Sequence, residues 1–391
     1  LLNAGLNVEY QAQNFTLSAV TGYQHLKDRM FLDQDFTAKN TYTLEQKQRI
    51  NTISEEIVMK SKESHRWQWA TGIFGFYQWL NTTAPVTFKE DGMAMMDQML
   101  GSFIPALVEV PMGPGRNMNI MPALKVTSAR LPINGDFKTP LLNGALFHQS
   151  TFRDLFGIDG VSFTAGLRLD YEKMKMDYNS GTAMDYTIGI TGQMMMNGAP
   201  TGKPISMMPE TALTVTSRYQ GSISKDYLQL LPKFALQYDF PKNLGNVYAT
   251  VSKGYRSGGY NIQMFSDLLQ ASLKNDMMRL TKDEIMSQVP ENLKDMVNFI
   301  PDAGENPDAR AATVYKPEQT WNYEIGTHLN LFQNRLRADA ALFWLETRDQ
   351  QISRFAQSGL GRETVNAGKS RSLGAEISLM GAVTTNFTLT A

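Results

Sequence analysis

The sequence predicts an all-β fold, a transmembrane antiparallel up-and-down β-barrel. Three observations predict it: apolar and polar residues alternate along many segments, those segments are long, and tight turns alternate with long connections. Along residues 161–172, Val161, Phe163 and Leu167 share one face, and Arg168 lies on the other. Such alternation is typical of strands with one apolar and one polar face.

Strand length distinguishes a membrane barrel from a soluble sheet. Segments 161–172, 321–331 and 335–350 each run for about 11 to 16 residues, whereas strands of soluble proteins usually have about 5 or 6. A tilted strand that crosses a bilayer needs about 9 to 11 residues. A soluble antiparallel sheet with one wet face explains the alternation, but not the length.

We predict about twelve strands, joined alternately by short and long connections. The tight turns are predicted at Gln13–Asn14, Lys62–Ser64, Gly157–Gly160, Pro241–Gly245, Gln333–Asn334 and Thr384–Asn386. The long connections are predicted at about 37–47, 81–140, 177–223, 257–318 and 352–364. This asymmetry is typical of outer-membrane barrels, which have short periplasmic turns and long extracellular loops.

Loop 257–318 contains a helical pattern. Leu268, Leu269 and Leu273 recur at helical spacing, and Thr281 with Glu284 forms a capping box that predicts a further helix start. A second apolar group, Leu293, Met296 and Ile300, follows Pro290. Two interpretations stay open: a lid over a binding site, or a local core that keeps a long loop ordered.

Composition excludes several classes of protein. Lys plus Arg number 37 and Asp plus Glu number 38, so a nucleic-acid partner is not expected. There is no cysteine, and the four histidines are isolated in sequence: His25, His65, His148 and His328. We therefore predict no metal site and no cofactor.

Apolar runs are too short for a membrane-spanning helix. No signal peptide is recognisable, and both ends read as strands, which predicts an internal fragment of a longer protein.

Methionine is abundant, with 23 residues, most of them in or beside the predicted long loops. Thioethers bind Cu(I), but no cysteine or neighbouring histidine supports a copper site. Small loop cores and an adaptable surface for partners or ligands are both consistent with the pattern.

The sequence carries no convincing enzyme motif, and we predict that the protein is not an enzyme. Gly368-Lys369-Ser370 resembles part of a phosphate-binding loop, but Glu363 stands where that motif needs its first glycine. Carboxylates on the polar strand faces include Asp170 and Glu172. A paired-carboxylate hydrolase is one interpretation; a wet, charged lumen balanced by arginine and lysine explains them better.

Six segments resemble the barrel of TonB-dependent outer-membrane receptors, in the order that this family shows. They are FTLSAVTGYQ (15–24), RWQWATGIFGFY (66–77), GVSFTAGLRLDYEK (160–173), YATVSKGYRSGGYN (248–261), KPEQTWNYEIGTHLNLFQNRLRADAALFWLETRDQQI (316–352) and NAGKSRSLGAEISL (366–379). The resemblance covers nearly all predicted strands, whereas the long loops resemble nothing comparable.

The resemblance implies that residues 1–391 are part of a 22-stranded barrel in the Gram-negative outer membrane, without its N-terminal plug and closing strands. It implies energised uptake of a scarce solute, most often a ferric siderophore or similar iron complex, driven by the TonB–ExbB–ExbD complex acting on the plug. Outer-membrane lipids and lipopolysaccharide would surround it. The fragment alone is not expected to transport. A glycan-importing receptor, a passive porin and a surface adhesin remain as alternatives.

The stretch VSKGYRSGGYN (251–261) supplies the predicted binding residues. Arg256, Tyr260 and Asn261 stand where a strand passes into a long loop, and binding residues concentrate on loops. The alternative is a loop exit with no ligand contact. Strand parity places Tyr255 on the lipid-facing side, in an aromatic girdle. Residues 257–259, Ser-Gly-Gly, are then a flexible exit and not a phosphate-binding loop.

Overall fold

The computed structural model describes residues 1–33, 37–63, 65–289, 291, 294, 300–356, 362–384 and 387–390. Its three α-helices are α1 (Glu90–Gly101), α2 (Met264–Gln288) and α3 (Ala309–Thr313). Its strands are β1 (Leu2–Gln11), β2 (Phe15–Asp33), β3 (Tyr42–Ser61), β4 (Trp67–Thr83), β5 (Val86–Phe88), β6 (Val108–Gly113), β7 (Arg116–Val126), β8 (Leu131–Lys138), β9 (Leu141–Arg153), β10 (Val161–Met196), β11 (Ala199–Pro200), β12 (Ile205–Phe240), β13 (Gly245–Arg256), β14 (Gly259–Tyr260), β15 (Val314–Tyr315), β16 (Glu318–Leu331), β17 (Leu336–Arg348), β18 (Gln351–Phe355), β19 (Arg362–Asn366), β20 (Lys369–Thr384) and β21 (Phe387–Thr390).

Twelve of the described strands form one antiparallel meander. Each pairs with the next in the order β1, β2, β3, β4, β9, β10, β12, β13, β16, β17, β20 and β21. The shorter strands lie in the long connections between them. The prediction of an all-β, up-and-down antiparallel fold with about twelve strands is confirmed.

The alternation of the sequence separates two faces of this sheet. The outer face carries exposed apolar side chains, among them Leu167, Leu230 and Ile325, at 49%, 51% and 53% exposure. The inner face carries Asp170 and Gln229, at 2% and 6% exposure. Because an exposed apolar band suits lipid contact and a polar inner face suits a lumen, the sheet has the cross-section of an outer-membrane barrel wall.

Aromatic side chains mark the height of the apolar band on β4. Trp67 and Trp79 both lie on the outer face, half exposed, near the two ends of the strand. The twelve-residue interval covers about 40 Å of strand, or about 28 Å of height at a tilt of about 45°. This height matches a bilayer's hydrocarbon core. Trp67 also stacks on Phe152 of β9, with ring centroids 6.4 Å apart.

The connections alternate in length as predicted, with one correction. Short turns join β1 to β2, β9 to β10, β12 to β13 and β16 to β17. The predicted turns at Lys62–Ser64 and Thr384–Asn386 include residues outside the described part. The loop predicted over 177–223 is wrong: β10 and β12 continue through it as a hairpin of two 36-residue strands. Their inner face is apolar there and buried, which keeps both strands in the sheet.

The connection at 81–140 is likewise ordered. It contains β5, α1, β6, β7 and β8, and these short strands pair with β3, β4 and the extension of β10. The connection at 352–364 begins and ends in the β18–β19 hairpin. The connection at 257–318 contains α2 and α3.

Helix α2 covers the inner face of the extended hairpin. Leu269 and Leu273, which the helical pattern identified, are buried in the same core as Met184 and Tyr186 of β10. The predicted helix start at Thr281 is wrong, because Thr281 lies inside α2. Its fully buried hydroxyl lies 2.9 Å from the Tyr186 hydroxyl. The Thr281 hydroxyl therefore has a partner that is distant in sequence, and the residue stays inside the helix. Leu293 and Met296 lie outside the described residues.

The long connections and the extended hairpin together form a cap, comprising residues 84–138, 173–223 and α2. Its core includes several of the loop methionines, namely Met93, Met96, Met184 and Met208. The local-core interpretation of these methionines is therefore confirmed. None of the described helices is long and apolar enough to cross a membrane.

Candidate functional site at the top of the lumen

A cavity of about 330 Å³ lies where the inner face of the sheet meets the exit of β13. Its wall includes inner-face residues from the upper ends of β3 and β4, and its other side is the start of the 257–317 connection. The polar side chains around it are Gln48, Gln78, Thr82, Thr139, Tyr260 and Tyr315. Amides, hydroxyls and two tyrosine rings can hold a polar or aromatic solute in several orientations.

The Ser-Gly-Gly segment after β13 is packed tightly, contrary to the predicted flexible exit. A Cβ on Gly258 would lie 2.6 Å from the Tyr315 carbonyl oxygen, and a Cβ on Gly259 would overlap the Tyr315 ring. Ser257 donates a hydrogen bond of 2.5 Å to Glu172, and its carbonyl accepts one from Gln351. Gly258 therefore permits close approach of two backbones, and Gly259 permits close packing of the Tyr315 ring, which also agrees with the rejection of a phosphate-binding loop.

Tyr260 lies on the cavity wall, and its hydroxyl is already engaged. The Tyr260 Oη lies 3.1 Å from the Met174 carbonyl oxygen and 3.2 Å from that of Ile223. Burial of the phenol raises the pKa of Tyr260 to about 12. The hydroxyl thus remains a neutral donor at physiological pH, and the ring is the part of Tyr260 best placed to contact a solute.

Asn261 and Arg256 lie on either side of this segment. The Asn261 amide donates to the Thr364 carbonyl and accepts from the Thr364 amide, both at 2.8 Å. It therefore ties the 257–317 connection to the β18–β19 hairpin. Arg256 is exposed at the end of β13, opposite Glu318. Of the three predicted residues, only Tyr260 lines the cavity, and ligand contact by all three stays a prediction.

Tyr255 does not lie in an outer aromatic girdle. β13 remains paired with β16 as far as Arg256, but its pairing with β12 ends at Ser252. The end of β13 thereby crosses the inner face of the sheet. The Tyr255 hydroxyl accepts a hydrogen bond of 3.1 Å from the Asn143 amide of β9.

A buried polar cluster lies beneath this crossing. Arg168 forms a two-pronged ion pair with Asp170, at 2.8 and 3.0 Å, and its guanidinium lies between the rings of Phe74 and Phe147. Glu172 is 2% exposed, and one of its two carboxyl oxygens has no hydrogen-bond partner in the described structure. The prediction that these carboxylates face a wet lumen is wrong here, because the end of β13 excludes water from them.

The comparisons with known proteins decide the family. The family model described as "TonB dependent receptor-like, beta-barrel" matches residues 2–391. The chain belongs to this family. TonB-dependent receptors are transporters and not enzymes, and their barrels lie in the Gram-negative outer membrane. No curated protein matches the chain.

Solved structures similar to this TonB-dependent receptor cover almost all of the chain. The ferric yersiniabactin uptake receptor FyuA from Yersinia pestis is 14% identical over 99% of this chain and 57% of its own, with a TM-score of 0.30. The siderophore receptor PiuA from Acinetobacter baumannii is 9% identical over 99% and 62%, with a TM-score of 0.29. The copper transporter OprC is 11% identical over 99% and 59%, with a TM-score of 0.32. The chain therefore spans less than two thirds of these proteins.

Sequence reasoning missed most of the cavity wall of this receptor. Gln48, Gln78 and Tyr315 belong to no motif. The only signal is that the two glutamines alternate in phase with the inner-face residues, near the upper ends of their strands. Within the described residues, no group of three or more His, Asp or Glu side chains is arranged to hold a metal ion.

Proposed function

We propose that this chain is the greater part of the barrel of an outer-membrane receptor for energised uptake of a ferric siderophore or similar iron complex. The upper-lumen cavity beneath the 257–317 connection is the observation that carries the proposal. Family membership supports energised uptake, and the Ser-Gly-Gly segment supports the siderophore-type branch by its resemblance. The plug and the TonB–ExbB–ExbD complex are the partners proposed for the whole protein.

The cavity's chemistry suits a cargo with many hydrogen-bonding groups. Gln48 and Gln78 each offer an amide donor and acceptor, and Tyr260 and Tyr315 offer aromatic edges and faces. At about 330 Å³, the cavity accommodates part of a siderophore, with the remainder in contact with the cap. We propose that the lumen wall binds the organic ligand of the iron complex and releases it when the plug is moved.

Uptake by the full-length receptor tests the proposal. Cells that depend on this receptor are supplied with ⁵⁵Fe-siderophores, with TonB present or deleted. We expect accumulation only with TonB. Accumulation that is unchanged without TonB would instead indicate a passive porin, and growth on oligosaccharides without any iron uptake would indicate glycan import.

The cavity is tested separately with matched glutamines. Gln78→Ala and Gln48→Ala each remove one hydrogen-bonding amide, so we expect affinity for the transported siderophore to fall by about three- to tenfold. Gln46→Ala is the control, because Gln46 lies on the same face of β3 but not on the cavity wall. Equal affinities for all three variants would place the binding site elsewhere.

A further inference from the structure

The last residues of β13 leave the barrel wall as a separate segment, residues 253–257, which we call the strap. β13 stays paired with β16 as far as Arg256, but its pairing with β12 ends at Ser252. Pro232, the next residue of β12, lacks the amide hydrogen that would continue this ladder. The strap therefore parts from β12 and lies over the inner face of the sheet.

Side chains, and not backbone ladders, hold the strap against this inner face. The Tyr255 hydroxyl accepts a hydrogen bond of 3.1 Å from the Asn143 amide of β9. Ser257 donates one of 2.5 Å to Glu172 of β10, and its carbonyl accepts one from Gln351 of β18 on the other side. Among the described residues, the strap has no backbone pairing with β9, β10 or β12. It can therefore detach from these three strands without breaking a backbone ladder.

Glu172 both stabilises and opposes the closed position of the strap. Its side chain is 2% exposed, and only one of its two carboxyl oxygens has a hydrogen-bond partner in the described structure. No described cation forms an ion pair with it, since Arg168 pairs with Asp170. A buried polar atom without a partner costs free energy, and this cost is relieved when the strap lifts and water reaches the carboxyl group.

The strap separates the upper-lumen cavity from the part of the lumen beneath it. Gly258, Gly259 and Tyr260, which directly follow the strap, line the cavity. Beneath the strap, Gln229 is 6% exposed. A Cβ on Gly254 would meet no atom within 4 Å, so the backbone has room to turn at this position.

We propose that the strap is a gate between the cavity and the lumen, and that Glu172 is the positioning residue that holds it closed through Ser257. The closed strap supports the cavity wall at residues 258–260 and retains the cargo. The open strap gives the cargo a path into the lumen and exposes Glu172 to water. The inference rests on the proposed function for the identity of the cargo, whereas the opening itself is measurable without cargo.

The substitution Gln229→Cys provides a reporter of the opening. Residues 1–391 contain no cysteine, and position 229 is buried beneath the strap, so a water-soluble maleimide reaches the new thiol only when the strap is open. The labelling rate is measured in the full-length receptor in detergent, without siderophore. The same receptor without Q229C gives the background rate.

The strap variants S257A, E172A and E172Q are made in the Q229C receptor, with T250A as the matched control. Thr250 also lies on β13 and donates one hydroxyl hydrogen bond, to the Phe234 carbonyl of β12. It belongs to the part of β13 that stays paired on both sides. Folded receptor is separated from unfolded receptor by its mobility on unheated gels, and only the folded band is quantified.

We expect S257A and E172A each to raise the labelling rate about fivefold, as for the loss of one hydrogen bond. The double variant is expected to label no faster than either single variant, because both substitutions remove the same bond. E172Q is expected to stay within about twofold of the parent receptor, because glutamine has nearly the same size and keeps an oxygen for Ser257. T250A is expected to match the parent.

Parent-like labelling in both S257A and E172A overturns the proposal, because the contact between these residues would then not hold the strap. Labelling of E172Q as fast as that of E172A also overturns it, because the hydrogen bond that glutamine can keep would then not be the latch. None of these rates depends on iron. Absence of siderophore uptake together with the expected labelling rates would therefore contradict the proposed function and leave the gate in place.

Discussion

Asn261 joins two segments that are distant in sequence through a pair of hydrogen bonds. Its side-chain amide bonds to both the carbonyl and the amide of Thr364, 103 residues away. Each hydrogen bond contributes about 1 kcal/mol when partly buried. Asn261, which was predicted to contact the ligand, thus also positions the two segments relative to each other.

The change Asn261→Ala is expected to loosen this junction. Loss of both hydrogen bonds, about 2 kcal/mol, predicts roughly 30-fold faster hydrogen exchange at the Thr364 amide, measured in the full-length receptor. Asn306→Ala is the control, because the Asn306 side chain also forms two hydrogen bonds, with Asn275 and Asp276, but does not contact Thr364. Unchanged exchange at Thr364, together with weakened siderophore binding, would instead assign Asn261 to the ligand.

Tyr260 predicts a pH dependence in the alkaline range. Its pKa in the folded protein is about 12, raised mainly by burial, against an ordinary value of about 10. Because the unfolded chain loses this proton first, the phenol's contribution to stability is complete below pH 10. It is lost progressively between pH 10 and pH 12.

The variant Tyr260→Phe removes that titration. We expect the thermal midpoint of the wild type to fall more steeply than that of the variant between pH 10 and pH 12, with no such divergence between pH 7 and pH 9. The comparison with a single variant cancels the contributions of the other tyrosines. Parallel curves over the whole alkaline range would show that the phenol is not buried in the folded receptor.

At the scale of elements, α2 packs on the inner face of the hairpin and shares its buried core. Leu273 is 2% exposed, and Leu280 on the same helix is only partly buried. We expect Leu273→Ala to cost about 2 to 5 kcal/mol of local stability, and Leu280→Ala clearly less. Hydrogen exchange of the α2 amides measures both. Equal losses of protection would mean that α2 does not pack on β10 and β12 through Leu273.

The elements also show what the sequence could predict. Period-two alternation identified the strands of the meander, because each has one face toward lipid and the other toward the lumen. The same alternation continues past Glu172 into the cap, where Met174 and Met176 are buried between exposed lysines. The extension of β10 beyond Glu172 was not predicted, because a strand that crosses a bilayer needs only about 11 residues. The bilayer therefore gave no reason to expect a longer strand.

Contacts between distant segments could not be predicted in the same way. Thr281 reads as a helix cap locally, but its hydroxyl contacts Tyr186, 95 residues earlier in the chain. Burial of Glu172 likewise depends on the end of β13 crossing the sheet. Most of the cavity wall has no sequence motif, because short stretches from several distant segments build it.

At the scale of the whole molecule, the hairpin of β10 and β12 determines which side of the membrane the cap occupies. Beyond Glu172, β10 continues for 24 residues, about 80 Å of strand at about 3.3 Å per residue. All the long connections and the cap lie at this end of the sheet, and the short turns lie at the other. We therefore expect the two ends of the sheet to differ in their accessibility from outside a living cell.

An epitope tag inserted after Gly202, at the tip of the hairpin, is expected to bind antibody on intact cells. The same tag after Lys242, in the β12–β13 turn, is expected to bind only after the outer membrane is permeabilised. Both insertion sites are exposed turns, so the folded barrel tolerates each, and its altered mobility on unheated gels serves as the folding control. If the tag at Lys242 were accessible on intact cells and the tag at Gly202 were not, the orientation would be inverted. The cavity would then open toward the periplasm.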